Sequence, residues 1–195
     1  MLSHKKSLDI LKKTDALLEG HFVLSSGLHS SNYVQCAKLL SFPKKAEKIC
    51  KSLANKIKKD FKKFDLILAP AMGGIIIGYE IGRLLNKETI FCERVKSKFR
   101  LRRGFNIRKG SKVLIVEDVI TTGKSSMECA RLIKRSKASV VGFASIINRS
   151  TKKTLKIKMK IVSQLKINAP TFRLKNLPKK LKSIPISKPG SRFIK

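Results

Sequence analysis

The sequence predicts an α/β fold with a central, mostly parallel sheet flanked by helices, and three observations predict it. Continuous apolar runs at residues 66–69, 113–116 and 140–147 have the length of strands buried on both faces. Amphipathic stretches with helical spacing separate them. Strands and helices alternate, the order that right-handed crossovers between parallel strands require. At 195 residues, with 42% hydrophobic and 29% charged side chains, the chain suits one domain with one core.

From the N terminus, residues 7–18 read as a short helix, because Leu8, Leu11, Asp15 and Leu18 recur at helical spacing with part of that face apolar. Residues 21–34 read as a hairpin: Phe22-Val23-Leu24 and Asn32-Tyr33-Val34 flank the polar Ser25-Ser26-Gly27. Pro43 suits a helix first turn, and after it Ala46, Ile49, Cys50, Leu53, Ala54 and Ile57 form one apolar face opposite lysines. Leu66-Ile67-Leu68-Ala69, ended by Pro70, is a buried strand. A helix over 74–85, strands over 89–92 and 113–116, a helix over 125–134 and a strand over 140–147 follow. Residues 93–110 turn polar, with Arg94, Lys96, Lys98, Arg100, Arg102, Arg103 and Arg108 around Phe99 and Phe105. That is too long and too charged for an ordinary connection, so it is a functional lid or an excursion. Strand-like alternation returns over 155–162, and the chain is then Pro- and Lys-rich up to 192.

No stretch approaches the roughly 20 apolar residues of a membrane-spanning helix. The Lys-rich residues 1–7 have no apolar segment behind them. A cytoplasmic protein is expected. Cys36, Cys50, Cys92 and Cys129 are scattered, with no C-x-x-C pair and no His at ligand spacing, which excludes a disulfide framework and a structural zinc site. Reduced, half-buried thiols are expected. The net charge of +33, with no Asp or Glu after Glu128, favours polyanionic partners: nucleic acid, anionic membrane or a phosphorylated small molecule. It does not choose among them, and a Lys-biased composition on solvated faces gives the same count.

The decisive segment runs from Val113 to Ser125. A buried strand delivers Glu117 and Asp118 to its C-terminal end, and Thr121-Thr122-Gly123-Lys124-Ser125 then opens a helix. Backbone N–H groups at such a turn cradle an anion, Gly permits close backbone approach, and hydroxyls add donors. Carboxylates beside a phosphate cradle would repel the phosphate unless they face another part of the ligand, such as a diol that donates hydrogen bonds to them. A sugar phosphate fits both halves. A Walker A loop is excluded, because its first Gly would have to stand where Asp118 is.

Here the sequence resembles the type I phosphoribosyltransferases, whose signature for phosphoribosyl pyrophosphate (PRPP) is four apolar residues, two acidic ones and a Thr- and Gly-rich loop. Within them it is similar to the orotate phosphoribosyltransferases. The residues carrying that likeness are Gly20-His21-Phe22, residues 24–30 and Tyr33; Ala69-Pro70-Ala71-Met72-Gly73-Gly74; Glu93-Arg94 with Leu101-Arg102-Arg103-Gly104-Phe105; and Lys188-Pro189-Gly190-Ser191-Arg192. The likeness spans residues 15–192. It implies the type I phosphoribosyltransferase fold over 1–195, with a small hood from about 20–36 and the C-terminal segment, and a flexible loop over 94–110. The implied activity is Mg²⁺-dependent transfer of ribose 5-phosphate from PRPP to orotate, giving orotidine 5′-monophosphate and pyrophosphate in de novo pyrimidine (UMP) biosynthesis.

By resemblance, Glu117 and Asp118 would be the catalytic carboxylates, holding the ribose hydroxyls and stabilising positive charge at the anomeric carbon. Val119, Ile120, Thr121, Thr122, Gly123, Lys124 and Ser125 would enclose the 5-phosphate, and pyrophosphate would lie along residues 70–74. Mg²⁺ would bridge pyrophosphate and ribose oxygens, with no protein ligand assigned. Thr121 and Arg149 would contact orotate, Arg149 with a bidentate fork to its carboxylate. Arg94 would bind PRPP, and the loop it opens would close over the neighbouring subunit's site in a homodimer. Many relatives carry Lys where Ser25 and Met72 stand, so those contacts must come from elsewhere and neither residue is assigned a role. Of His4, His21 and His29, only His29 lies near the implied base pocket, where a hairpin-stabilising role outweighs a general base. Two rivals remain: a purine phosphoribosyltransferase, differing in the hood and at Arg149, and a PRPP-sensing regulator of the same fold that binds nucleic acid.

Overall fold

The structure, a computed structural model, describes residues 1–24, 27–151 and 154–187. Ser25 and the 188–192 motif lie outside the described residues. The elements run α1 (His4–Lys12), β1 (Leu17–Val23), β2 (His29–Val34), α2 (Cys36–Leu40), α3 (Pro43–Asp60), β3 (Leu66–Pro70), α4 (Gly73–Leu85), β4 (Glu88–Val95) and β5 (Lys98–Leu101). Then come β6 (Lys112–Ile120), α5 (Lys124–Arg135), β7 (Ser139–Asn148), β8 (Ile161–Lys166), β9 (Thr171–Phe172), a 3₁₀ turn at Leu174–Asn176, α6 (Lys179–Lys182) and β10 (Ile186–Ser187).

The fold is α/β. Six strands form the main sheet in the order β5-β4-β3-β6-β7-β8, every neighbouring pair parallel except β4 with β5. Its middle strands are buried on both faces, which is why they read as unbroken apolar runs. Along β6, Leu114 and Val116 join the core under α3 and α4 with Ile49, Leu53, Ile57, Ile77 and Ile81. Val113 and Ile115 join the opposite core, under α5, with Cys129, Ile133 and Phe143. Pro43 opens α3, and all six apolar positions of its predicted stripe are buried. A second sheet, β10-β1-β2-β9, pairs the N-terminal hairpin with two strands from the far end of the chain.

Three segments differ from the sequence reading. The first helix stops at Lys12, because Asp15 adopts the left-handed conformation and the Ala16 N–H caps Leu11, so Leu17 and Leu18 start β1 instead. Leu155 and Ile157 alternate as a strand would but do not pair; Ile157 is buried in the core under α5, and the strand begins at Ile161, beside Phe143. The stretch 93–110 is partly ordered into the main sheet. β4 continues to Val95, Lys96 and Ser97 turn with positive φ, and β5 returns along it. Beyond β5, Arg103 forks onto Glu93 at 3.1 and 3.0 Å, Phe105 meets Phe91 edge to face, and Ile107 is buried. The four cysteines are buried rather than half-buried, and Cys92 and Cys129 bring their Sγ atoms to 3.5 Å. Burial pushes the Cys50 thiol up to about 12. No described helix is long and apolar enough to cross a membrane.

Candidate active site

After β3 the chain turns to β4 on one side; it later returns to place β6 on the other side of β3. That reversal opens a crevice at the C-terminal ends of β3 and β6, where open parallel sheets bind ligands. Two helices start at it: α4, directly after β3, and α5, three residues after β6. Each brings a first turn whose backbone N–H groups lack intrahelical acceptors and carry a positive dipole end.

Glu117 and Asp118 sit at the β6 end of this crevice. Asp118 Oδ1 accepts from the Val119 N–H at 2.8 Å, and its carboxylate lies against Gly73, where a Cβ would fall 2.6 Å from Oδ2. Only glycine lets the start of α4 approach a carboxylate so closely. Burial raises the Asp118 carboxyl above its ordinary range, opposed by backbone hydrogen bonds. Glu117 is buried, and its Oε1 accepts a short hydrogen bond from Ser126 Oγ on α5. Burial pushes Glu117 up to about 7; the Ser126 bond and the charge of Arg94 pull it down, while Asp118 raises it.

In the turn that follows, Thr121, Thr122 and Lys124 are exposed, Ser125 is half-buried and Gly123 is buried with φ 73°. A Cβ on Gly123 would meet Ile157 at 2.7 Å, so this glycine is required both by its backbone and by the segment packed over it. Val119 and Ile120 complete β6, Val119 half-buried and Ile120 buried. The Lys156 N–H donates to Thr122 O at 3.1 Å, and the Arg149 N–H to Ile120 O at 2.8 Å, tying both ends of the turn to later chain. On the β3 side, Pro70 ends the strand, the Ala71–Met72 peptide is cis, and Met72 is 84% exposed.

Arg149 follows β7, and its guanidinium lies within electrostatic reach of Tyr33 on β2. Its Nε is buried without a hydrogen-bond partner, and burial lowers its pKa. Among the described residues it has no carboxylate partner. Arg94 is engaged: it pairs with Glu128 of α5 at 2.9 Å, donates to Ser97 O and stacks on Phe99 at 4.1 Å. His21 and His29 are buried on the small sheet, with His21 Nε2 at 2.7 Å from His29 Nδ1 and His21 Nδ1 at 3.2 Å from Ile184 O. They hold β1, β2 and the C-terminal segment together.

The crevice thus unites Glu117, Asp118 and the 119–125 turn with the start of α4. Arg149 is tied by its backbone to Ile120 at the start of that turn, and Arg94 is paired with Glu128 of α5. Sequence reasoning missed Ser126 and Glu128, whose types carry no signal until α5 is folded against β4 and β6.

The Phosphoribosyl transferase domain family matches residues 40–176. An orotate phosphoribosyltransferase of Erythrobacter litoralis is 43% identical over 192 residues, 98% of this chain and 99% of that one. The chain belongs to the orotate phosphoribosyltransferase family. The crystal structure of an Aeropyrum pernix orotate phosphoribosyltransferase superposes with a TM-score of 0.69 at 24% identity, covering 82% of this chain and 92% of that one. An adenine phosphoribosyltransferase from Saccharomyces cerevisiae superposes at 0.65 with 17% identity over 81% and 99% of the two chains. Those superpositions show the shared fold, which serves both base classes; the close sequence relative places the chain in the orotate family.

Proposed function

We propose that the chain transfers ribose 5-phosphate from PRPP to orotate, giving orotidine 5′-monophosphate and pyrophosphate, as a cytoplasmic step of pyrimidine nucleotide synthesis. The observation that carries it is Arg149: a half-buried guanidinium whose buried Nε has no hydrogen-bond partner and which has no carboxylate partner among the described residues, within electrostatic reach of Tyr33 of the small sheet. Orotate brings the carboxylate such a cation lacks, and adenine does not.

In this reading the 5-phosphate sits on the first turn of α5, cradled by Thr121 to Ser125, and pyrophosphate lies along the start of α4. Glu117 and Asp118 accept hydrogen bonds from the ribose diol. As the bond from the anomeric carbon to the pyrophosphate oxygen breaks, their negative charge opposes the growing positive charge on the ring. Orotate N1 forms the new bond to that carbon, and the N1 proton leaves to solvent. No described cluster of three or more His, Cys, Asp or Glu could hold a metal. Mg²⁺ would enter with PRPP and supply positive charge that offsets the pyrophosphate. Thr121 lines the orotate side of the turn, and Arg94 reaches PRPP by exchanging Glu128 for the more highly charged pyrophosphate.

The lid is the tip of the β4–β5 hairpin and the cationic residues after it, and it serves a neighbouring subunit. Ile76 and Tyr79, 55% and 67% exposed, project from α4 over a groove shared with Leu40 and Pro43. The Glu47–Arg83–Glu80 ion pairs flank this face. In a chain of +33 it is an apolar area where Glu47 and Glu80 stand beside Lys44 and Arg83, so two copies meet across mixed rather than like charge.

The test incubates the protein and Mg²⁺-PRPP with orotate and, separately, with adenine, hypoxanthine or guanine. Orotidine 5′-monophosphate and pyrophosphate should form in equal amounts from orotate alone. Consumption of a purine with orotate untouched would overturn the assignment.

A further inference from the structure

We propose that Ser126 is a positioning residue for the transfer reaction: its hydroxyl favours the ionised form of Glu117 and holds it in the orientation that receives the ribose diol. The inference rests on the orotate phosphoribosyltransferase reading above and adds a residue outside the 113–125 signature.

The geometry leaves Ser126 little choice. It stands in the first turn of α5 with no solvent exposure, so its hydroxyl needs a protein acceptor. A helical serine ordinarily turns back to the carbonyl four residues earlier. Ser126 Oγ donates instead to Glu117 Oε1. The bond occupies one carboxylate oxygen from the protein side, and no described residue donates a hydrogen bond to Oε2, which leaves that oxygen for the ligand.

Glu117 needs the help more than Asp118 does. Asp118 accepts a backbone N–H from Val119, whereas Glu117 is buried and the described hydrogen bond to its carboxylate comes from Ser126. The titratable and charged groups that face Glu117 are Asp118 on its own strand, Cys129 on α5 and Arg94 on β4; Ser145, its neighbour on β7, is neutral. Asp118 disfavours the charged form and Arg94 favours it, but Arg94 is already paired with Glu128. The serine hydroxyl therefore stabilises the negative charge at closest range.

The experiment compares wild type, Ser126→Ala and Ser126→Thr in pH profiles of kcat/KM for PRPP with orotate, alongside thermal melting. Glu117 must be ionised to accept from the diol, so activity falls on the acid side as it protonates. Burial places that limb near pH 7 in wild type. Removing the donor raises the carboxyl further, so the limb of Ser126→Ala moves up by about one pH unit. A one-unit move lowers kcat/KM about fivefold at pH 7 and leaves it near wild type by about pH 9.5. Ser126→Thr keeps the hydroxyl and keeps the wild-type limb. Loss of activity by the same factor at every pH, or an unmoved limb in Ser126→Ala at unchanged melting temperature, would overturn the positioning role. Ser126→Ala in a Glu117→Gln background, where nothing is left to ionise, should move no limb; a shift there would also overturn it. Wild-type protein inert toward orotate at every pH would instead sink the underlying assignment.

Discussion

Gly73→Ala should damage the reaction while sparing the fold, and the structure gives the size of the effect. A Cβ on Gly73 would lie 2.6, 2.8 and 2.9 Å from Oδ2, Cγ and Oδ1 of Asp118. Ordinary contact begins near 3.4 Å, so the two groups must separate by about 0.5–0.8 Å. The helix start cannot easily retreat. Next to it, Gly74 is already closed in, a Cβ there coming within 3.0 Å of Pro70 Cδ and 3.2 Å of Val116 O. The Asp118 carboxylate therefore yields, pulling against its 2.8 Å bond to the Val119 N–H. Misplacing a catalytic group by about 1 Å costs on the order of 100-fold, so kcat/KM for PRPP should fall between about 10- and 100-fold. Stability should hardly change: replacing glycine in a helix stabilises by about 0.4–1 kcal/mol through the unfolded chain, which offsets the displaced contact. Steady-state kinetics with orotate and PRPP, run beside thermal melting, read both quantities. Activity within twofold of wild type would refute the reasoning. So would a melting temperature lower by more than about 5 °C, since α4 rather than Asp118 would then have moved.

Arg149→Ala should raise KM for orotate about 10- to 100-fold, the worth of one charge-assisted contact, with KM for PRPP little changed and the melting temperature equal or higher because a half-buried cation with an unpartnered Nε is gone; equal weakening of both substrates would point to a different role. Asp118→Asn keeps the shape, loses the charge and should lower kcat at least about tenfold, or about 1.4 kcal/mol of transition-state stabilisation. Mixing that variant with one in which Lys98, Arg100 and Arg102 are alanine should, after subunit exchange, restore activity toward about one quarter of wild type, since half the dimers are mixed and each has one intact site. No recovery despite demonstrated exchange would place the hairpin's action within its own chain. Ile76→Asp sets a charge on the exposed face of α4 and should weaken self-association at least about tenfold in sedimentation; an unchanged dimer would move the interface elsewhere.

The sequence exposes what is local and periodic. The stripe of α3 and the apolar runs of β3, β6 and β7 are legible because each is set by its own residues against a continuous core. Leu18 misleads because it keeps helical spacing with Leu11, and only the left-handed Asp15 and the capping bonds around it end the helix before β1. Leu155 and Ile157 mislead because alternation records burial rather than pairing: Ile157 is buried against Gly123, not hydrogen-bonded in the sheet. The β4–β5 hairpin hides behind its charges, as edge strands do when cationic side chains block further pairing. In the site, Glu117, Asp118 and the turn after them are contiguous and read directly. The approach of Gly73 to Asp118, the Ser126 bond to Glu117 and the pairing of Arg94 with Glu128 join separate stretches of chain and emerge only once helices and strands are packed.

The small sheet joins residues near one end of the chain to residues near the other. Phe22 pairs with Ser187, and His29 with Phe172. During synthesis on a ribosome, the strands of the crevice are available long before β9 and β10 exist. The main sheet can be assembled while the small sheet that carries Tyr33 still lacks two of its four strands. A chain released early would keep the crevice between β3 and β6 and lose both edges of the small sheet. The small sheet is therefore the last part of this polypeptide to close, and the first to lose its edges when the C-terminal strands are cut away.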